Sequence, residues 1–516
     1  MSDFVQLPRN SNQALGIGQF AVDFLAGRLG PGPSQEVLDK TVQFHTDAVL
    51  CGASALALGC NAPTILRNEA LTYPDASGAC VFGSSQRVKS EKAVVANNAA
   101  VREWDSNGTN FGYNPALGHT AGEFGHNDYY GVVMAACQEE GLDGRTALLG
   151  MVLLDEIRGR LAEVFSLKTY KIDHVVHGAI ASAAVYGALR GATPQQIESA
   201  IGMFVAHYIP WRAIRAGKQL SDSKGASAAI SSEAAVLCMK RSMMGFLGPA
   251  DIFRNPESMF RQFIRTEGES PFDLHLAHSG SDFAVMGMHF KLGLYEHQSA
   301  GALQGLIDVI VSRPEILEPG AIDSIEVVAY EPAYGIIGDP AKRDPRTRQS
   351  ADHSMVYILA TKLRKAMEQR ALLANAGSDQ CWKTLMLMPE DYSAEAIHHP
   401  ATRALMEKIH FRHGGKEYDD KYPEGIPTSL QIKLSDGTTE DSGLVMFPSG
   451  HGRNTTADLS SILAHKFDAL AALAFDHDAT KHQVIERLNN VGNLSAEELM
   501  DLYQFPLASR EYHEAA

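Results

Sequence analysis

Apolar residues recur with a helical period through most of the first half of the chain. Residues 144–165 place several apolar side chains close to a 3.6-residue repeat, which predicts an amphipathic helix. A further helix is predicted to begin at Thr193, where Thr-Pro-Gln-Gln supplies a capping hydroxyl, a proline in the first turn and a glutamine three residues after the cap. Residues 34–265 are therefore predicted to be mainly helical.

The pattern changes to strict alternation after about residue 271. Residues 324–330 and 429–434 alternate apolar with polar positions, as half-buried strands do. The second run is followed by Ser-Asp-Gly-Thr and another extended run ending at Phe447, which predicts a β-hairpin. Further helices are predicted over residues 354–369, 393–409, 459–473 and 495–504.

These elements predict a large α-helical domain plus a smaller α+β lid domain. The helical domain takes residues 1–272 and the lid takes residues 273–450. The C-terminal helices, within residues 451–516, return to the helical domain. A chain of 516 residues exceeds what one hydrophobic core usually serves, which agrees with two domains.

The charge of the chain narrows the classes of partner. The sequence has 45 Lys and Arg against 61 Asp and Glu, so the formal net charge is −16. This excess of negative charge disfavours binding to nucleic acid or to an anionic membrane. No apolar run approaches the length of a membrane helix, and the first residues lack the features of a secretion or transit signal. We therefore expect a cytoplasmic protein.

Neither the spacing of the cysteines nor any common cofactor motif indicates a bound metal or nucleotide. The six cysteines are far apart and form no C-x-x-C pair, so they are predicted to be buried thiols. The sequence also lacks the P-loop, the dinucleotide-binding glycine motif, H-E-x-x-H and G-x-S-x-G. We expect no cofactor and no metal.

A loop rich in Gly, Asn and Asp spans residues 104–128 and concentrates titratable groups. It contains Asp105, Thr109, His119 and His126. Loops of this length are often functional. The alternative is a solvated loop whose Asp and Asn side chains satisfy its own turns.

A second cluster, Asp173 and His174, stands at the entrance to a helix of small residues. Asp173 can hold one imidazole nitrogen of His174, so that the other nitrogen acts as an acid or a base. Alternatively, His174 and His177 share a helical face as metal ligands. The residues alone favour a third reading, in which Asp173 caps the helix and His174 is only packed.

Cations concentrate in residues 211–225 of this acidic chain. Arg212, Arg215 and Lys218 lie close together, and Lys224 stands near the start of an Ala/Ser helix that opens around Ser223. A helix N-terminus with a lysine is a ready site for a carboxylate. The alternative is a solvated basic loop.

Two further charged segments follow. Lys291 and His297 lie in an aromatic and aliphatic stretch, where the lysine either snorkels to the surface or faces a cleft between the domains. Residues 343–348, followed by Asp352 and His353, are predicted to form a charged surface segment.

Taken in order, five segments resemble the MmgE/PrpD family. They are residues 102–128, residues 170–176, residues 221–225, Phe290 with Lys291, and residues 350–354 with Tyr357. The resemblance extends from about residue 30 to about residue 475 and is strongest to the family's 2-methylcitrate dehydratases. It implies a metal-free homodimer, with a helical domain and an α+β lid, that removes water from 2-methylcitrate to give 2-methyl-cis-aconitate.

The resemblance, combined with the charge that a tricarboxylate requires, assigns the site. The expected catalytic residues are His126, His174, Lys224, Asp105 and Thr109, and the expected substrate-binding residues are Lys291, Arg212, Arg215, Ser223 and His297. Extra residues between Thr109 and His126 leave His119 as a substitute for His126. The cations neutralise a substrate with about three negative charges, and the two histidines share the acid and base steps.

Three alternatives remain open at this point. The first is that the chain is a decarboxylase of cis-aconitate, and the second is that it is a dehydratase of a different alkylcitrate. The third comes from another class of protein: a non-catalytic dimer that only binds its ligand.

Overall fold

The computed structural model describes residues 3–215 and 219–515, and it is mostly helical. The α-helices are α1 Gln13–Leu25, α2 Gln35–Ala57, α3 Asn61–Leu71, α4 Ser90–Arg102, α5 Tyr130–Glu140, α6 Gly144–Val164, α7 Val175–Leu189, α8 Pro194–His207, α9 Asp222–Met243, α10 Met259–Phe263, α11 Ala300–Ser312, α12 Arg348–Ala351, α13 Met355–Glu368, α14 Arg370–Leu373, α15 Ser378–Thr384, α16 Ala394–Ile397, α17 Pro400–Met406, α18 Lys416–Asp419, α19 Leu459–Ala474, α20 Asp478–Asn489 and α21 Ala496–Met500. The strands are β1 Phe4–Leu7, β2 Pro74–Cys80, β3 Arg87–Val88, β4 Thr109–Phe111, β5 Phe124–His126, β6 Leu274–Ala277, β7 Ile322–Ala329, β8 Ile409–His413, β9 Thr428–Leu434 and β10 Thr439–Asp441.

The first half of the chain forms a helical assembly around α9, which packs against α4, α7 and α8. Small residues let the backbones approach closely. A Cβ atom added at Gly178 of α7 would lie 2.0 Å from the ring of Tyr129, so no larger residue fits there without a shift. The small-residue runs of the sequence therefore serve close helix packing.

Helices with strong local signals form where they are predicted. Residues 144–165 contain α6, and residues 354–369 contain α13. At α8 the Thr193 hydroxyl accepts a hydrogen bond from the backbone N–H of Gln196, and the Gln196 side chain accepts one from the backbone N–H of Thr193. This reciprocal capping confirms the predicted start of α8.

The late region contains a four-stranded mixed sheet with the strand order β10, β9, β7 and β8. The strands β9 and β10 form the predicted hairpin, and β7 pairs antiparallel with β9. The prediction of one helix over residues 393–409 is wrong. Proline has no backbone N–H and disfavours helical geometry in the residue before it, so the helix breaks before Pro400 into α16 and α17. The run then ends in β8, which pairs parallel with β7.

Both ends of the chain pack against segments that are distant in the sequence. The late helix α19 packs on α2. At the other end, β1 pairs antiparallel with β6, within the segment that follows residue 272. The domain boundaries at residues 272 and 450 stay a prediction.

Two further features of the structure concern the cysteines and the length and apolar character of the helices. All six cysteines are free and buried, as predicted. In residues 3–215 and 219–515, no single helix is long and apolar enough to cross a membrane. The pair α2 and α3, bent by 90°, meets the criteria together by length and composition only.

Candidate active site

The β4–β5 hairpin brings the first cluster of the sequence together. Thr109 lies directly opposite His126, and Phe111 lies opposite Phe124. Residues two apart on a strand share a face, so these four side chains share one face of the hairpin. The Thr109 hydroxyl donates to the carbonyl of Gly125 at 2.8 Å and fixes the pairing. The extra residues between Thr109 and His126 thus form a loop that leaves both in place.

A cavity opens on this face. Its wall combines cations, imidazoles and apolar side chains from distant parts of the chain. The described residues that line it are Arg102, Thr109, Phe111, Phe124, His126, His174, Arg212, Arg215, Glu296, Gln298, Ile336, Ile337, Lys342 and His353.

Asp105 is the centre of a buried charge cluster behind the cavity wall. Its carboxylate forms ion pairs with Arg102 and Lys291. His353 Nε2 lies 3.3 Å and Lys224 Nζ 3.8 Å from its Oδ2 atom. Burial opposes ionisation of Asp105, but the charges of Arg102 and Lys291 outweigh it and hold the pKa of this carboxyl well below its usual range. The residue has a φ of 50°, a left-handed conformation that Asp tolerates better than most residues.

The cluster is anchored from the C-terminal helix α19. Lys466 Nζ donates to the carbonyl of Ser106 at 2.7 Å and to the carbonyl of Lys291 at 2.8 Å. Lys466 also pairs with Asp47 of α2 at 2.6 Å, and both side chains are fully buried. One ammonium group therefore fixes three separate segments around Asp105.

His174 lies just before α7, beside its predicted partner. Its Nδ1 atom lies 3.4 Å from Oδ1 of Asp173, and Asp173 is paired with Arg215. Burial lowers the pKa of His174 well below its usual value, although the Asp173 carboxylate opposes the shift. The imidazole is therefore neutral near pH 7, with a carboxylate placed to orient it.

His126 lies next to His174, with 4.9 Å between the ring centroids. Both of its nitrogens lie 3.3 Å from the guanidinium of Arg102. Burial and the adjacent Arg102 charge lower the pKa of His126 well below its usual value. His126 is thus a second neutral imidazole in the cavity wall.

Residues 343–348, Asp352 and His353 were predicted to form a charged surface segment. This prediction is wrong for Arg348, Asp352 and His353. Arg348 is buried and pairs with Glu103 and with Asp352. His353 Nδ1 lies 2.6 Å from Oδ1 of Asp352 and 3.2 Å from Lys224 Nζ. Burial, reinforced by the Lys224 charge, lowers the pKa of His353 to about 3. Charged residues are exposed by default, but here they pair with one another inside the protein.

The ten predicted site residues fall into three groups. Five of them line the cavity, namely Thr109, His126, His174, Arg212 and Arg215. Asp105, Lys224 and Lys291 are buried behind the wall, where the two lysines contact carboxylates. His297 is buried beside Phe111 and stacks on His289, and Ser223 is exposed near the start of α9. Lys218 lies outside the described residues.

His119 does not lie where a substitute for His126 would have to lie. It contacts Glu163 at 2.9 Å and His275 at 3.2 Å, along a separate surface pocket. His126, by contrast, lines the cavity together with His174. The geometry therefore favours His126 over His119 as the loop histidine of the site. His177, the other histidine near His174, bonds the carbonyl of Phe165 at 2.8 Å through Nε2.

Several polar atoms around the cavity are buried without a hydrogen-bond partner among the described residues. They are Nδ1 and Nε2 of His174, Nη1 of Arg212 and Oε1 of Gln298. Unpaired buried polar groups are costly, and native proteins leave few of them. A polar ligand that enters the cavity would supply these partners.

One group of potential metal ligands borders the site. The ligand atoms of Asp105, Asp352 and His353 all lie within 4.8 Å of one another. However, Arg102 and Lys291 pair with Asp105, while Lys224 and Arg348 pair with Asp352. The protein's own cations thus already neutralise both carboxylates, and the donor set fits an ion-pair network better than a metal.

Reasoning from the sequence missed four titratable residues of the cavity wall. Arg102 and His353 stand within segments that carried the family resemblance, and that position was the available signal. Glu296 and Lys342 had no such signal, since each looks like an ordinary charged residue next to a motif. Only the packing of the late region against the hairpin brings these two into the wall.

Comparison with known proteins gives two family matches and several relatives. Residues 23–270 match the MmgE/PrpD N-terminal domain, and residues 385–490 match the MmgE/PrpD C-terminal domain. An alkylcitrate dehydratase of a fungal species is 24% identical over 373 residues, which cover 69% of this chain and 67% of the relative. The mitochondrial 2-methylcitrate dehydratase of Yarrowia lipolytica is 23% identical over 399 residues, 74% of this chain and 72% of the relative.

A bacterial protein gives the same result. The 2-methylcitrate dehydratase of Escherichia coli O157:H7 is 22% identical over 350 residues, which cover 64% of this chain and 67% of the relative. All three relatives carry the names of dehydratases, which are hydro-lyases. The two domain matches together cover more than half of the sequence. The chain therefore belongs to the MmgE/PrpD family and is an enzyme of the lyase class.

Proposed function

We propose that this protein dehydrates an alkylcitrate, with 2-methylcitrate as the first candidate. The observation that carries the proposal is the cavity itself. One part of its wall presents cations and neutral imidazoles, among them His174 with both nitrogen atoms unpaired, and another part presents apolar side chains. An alkylcitrate has this same division between carboxylates and an alkyl group. The names of the relatives support the same substrate class.

The cationic part of the wall suits the carboxylates. Arg212, Arg215 and Lys342 line the cavity, and Nη1 of Arg212 is buried with no partner among the described residues. A tricarboxylate carries about three negative charges at neutral pH, because carboxyl groups titrate near 4. Fixed cations in a buried site stabilise such charges, and also the extra charge that develops when a proton leaves the carbon next to a carboxylate.

His174 is the best-placed base for this proton. With Nδ1 beside Asp173, Nε2 is the nitrogen left to accept the proton, and it has no other described partner. The imidazole is neutral before the reaction, as a base must be. Asp173 then stabilises the imidazolium that forms. His126, against Arg102, remains neutral and completes the wall beside the reacting carbon.

The apolar part of the wall is proposed to receive the alkyl group. Ile336, from the π-helical turn Ala333–Ile337, lies there with Phe111 and Phe124. We expect Ile336→Ala to shift the ratio of kcat/KM between a longer alkylcitrate and 2-methylcitrate about 10-fold or more in favour of the longer one, because a removed side chain leaves room for extra methylenes. Steady-state kinetics with both substrates measures the shift.

A matched control tests whether this effect comes from the cavity. Ile230 lies on α9 and is 51% exposed, so Ile230→Ala should leave the ratio unchanged. Equal ratios in the wild type and Ile336→Ala would contradict the assignment of this wall to the alkyl group.

The proposed reaction itself is tested with the purified protein, an alkylcitrate series and a chelator. The expected result is a rise in ultraviolet absorbance from a conjugated product whose mass is lower than that of the substrate by one water. The rise should persist with chelator, since the site's carboxylates are already neutralised by Arg102, Lys224 and Lys291. Release of carbon dioxide from cis-aconitate would instead identify a decarboxylase. Binding without turnover would identify a ligand-binding protein.

A further inference from the structure

Departure of the hydroxyl group requires a proton donor, and the imidazoles of the cavity do not suit this role. Burial lowers the pKa values of His126, His174 and His353 well below neutrality, so all three are neutral at pH 7. A neutral imidazole is a very weak acid. The Thr109 hydroxyl is also unsuitable, because it already donates its hydrogen to Gly125. The donor must therefore be another group in the wall.

The geometry points to Glu296 as the general acid that protonates the departing hydroxyl group. This inference rests on the proposed dehydratase function. Glu296 is the single carboxyl among the described residues that line the cavity. It was not assigned to the site from the sequence, although it stands next to His297.

The local fold holds the Glu296 carboxyl in a defined orientation. Its backbone N–H donates to the carbonyl of Asp352 at 2.9 Å. Its Oε2 atom accepts a hydrogen bond from the backbone N–H of Gln298 at 2.8 Å, at the start of the turn His297–Ser299. With Oε2 occupied as an acceptor, the proton of the neutral acid belongs on Oε1.

Burial and the surrounding charges bring the pKa of Glu296 close to neutral pH. Burial raises the pKa of Glu296 to about 7, the nearby Asp105 carboxylate adds to the rise, and Lys291 and Lys342 oppose it. The phenols of Tyr330 and Tyr422 also interact with it and are themselves uncharged, since burial raises their pKa values well above normal. A bound trianion adds negative charge and favours the protonated acid further. A donor with a pKa near the working pH is the most effective one.

The step balances without a further reactant. His174 takes the proton from the carbon next to a terminal carboxylate, and the electron pair of that C–H bond becomes the second bond of the alkene. The C–O bond breaks, and its electron pair takes the proton from Glu296, so that water leaves. The enzyme is left with an imidazolium and a carboxylate. Transfer of one proton from His174 to Glu296 through water restores the starting state.

The decisive experiment compares two leaving groups. Wild type, Glu296→Gln and Lys342→Met are assayed with the best alkylcitrate and with its analogue in which fluorine replaces the tertiary hydroxyl. Fluoride leaves without full protonation, whereas hydroxide does not. We expect Glu296→Gln to lose about 10²–10⁴-fold in kcat with the alkylcitrate but about 10-fold or less with the fluoro analogue. Lys342→Met should raise KM for both compounds alike, because its ammonium binds carboxylates.

The pH profile supplies a second readout. For the wild type, kcat/KM should fall as the pH rises above about 7, because the acid form of Glu296 is lost there. Glu296→Gln should lack this fall. Retained turnover of the alkylcitrate, or equal losses with both leaving groups, would overturn the assignment of Glu296. Failure of the wild type to dehydrate any alkylcitrate would instead overturn the proposed function.

Discussion

Asp105→Asn is expected to lower the free energy of unfolding by about 3–5 kcal/mol, because it removes one partner of a buried ion cluster. Arg102 and Lys291 would then keep their charges in the interior without the carboxylate that faces them. Asparagine retains the shape of the side chain and tolerates the left-handed backbone at this position, so the effect reports the charge. Urea denaturation followed by circular dichroism measures the loss, and turnover should fall with it.

The control for this prediction is an exposed pair in the same chain. Lys416 and Asp420 lie 2.6 Å apart, with side chains that are 85% and 59% exposed. Exposed pairs contribute little, so Asp420→Asn should change the free energy of unfolding by less than about 0.5 kcal/mol. If the two variants lose the same stability, Asp105 is not the centre of the cluster's electrostatics.

His174→Gln is expected to lower kcat about 10²–10⁴-fold, the usual contribution of a positioned base. The fold should survive, since neither imidazole nitrogen has a hydrogen-bond partner in the described part of the chain. Because burial keeps the pKa of His174 well below 6.5, the neutral base persists in mild acid. The wild-type kcat/KM should therefore decline on the acid side only below pH 6.5. Kinetics across a pH series measures both effects.

His119→Gln is the matched control, because His119 is also a buried histidine but borders a separate surface pocket. Its kcat should stay at the wild-type value. A large loss in His119→Gln combined with full activity in His174→Gln would move the base to the other pocket. Thermal denaturation of both variants separates loss of chemistry from loss of fold.

The sequence predicts helices well wherever the signal is local. The capping residues of α8 and the apolar period of α6 need no distant partner to be read. The single helix predicted over residues 393–409 failed for a different reason. It breaks before Pro400, and its last residue, Ile409, begins β8, a strand that depends on β7, about eighty residues earlier in the chain. Pairing over such separations leaves no periodic signal of its own.

The residues of the site divide in the same way, into those with a local sequence signal and those that only tertiary contacts bring together. Segments such as Asp173-His174 and Phe290-Lys291 were identifiable because their members are adjacent. The register that sets Thr109 opposite His126 was not, because a loop of any length can join two paired strands. Glu296 and Lys342 enter the wall only through tertiary packing, and a charged residue of unknown neighbours is by default assigned to the surface.

Lys466 has a consequence for how the protein becomes active during its synthesis. The Asp105 loop and the Lys291 segment are held by this ammonium, which belongs to a helix made after both of them. A growing chain folds from its N-terminal end. The earlier helices can therefore assemble on the ribosome, but a finished reaction centre appears only after residue 466 has emerged. A nascent or prematurely released chain would contain the residues that face the substrate. It would lack Lys466, which holds the Asp105 loop and the Lys291 segment in place.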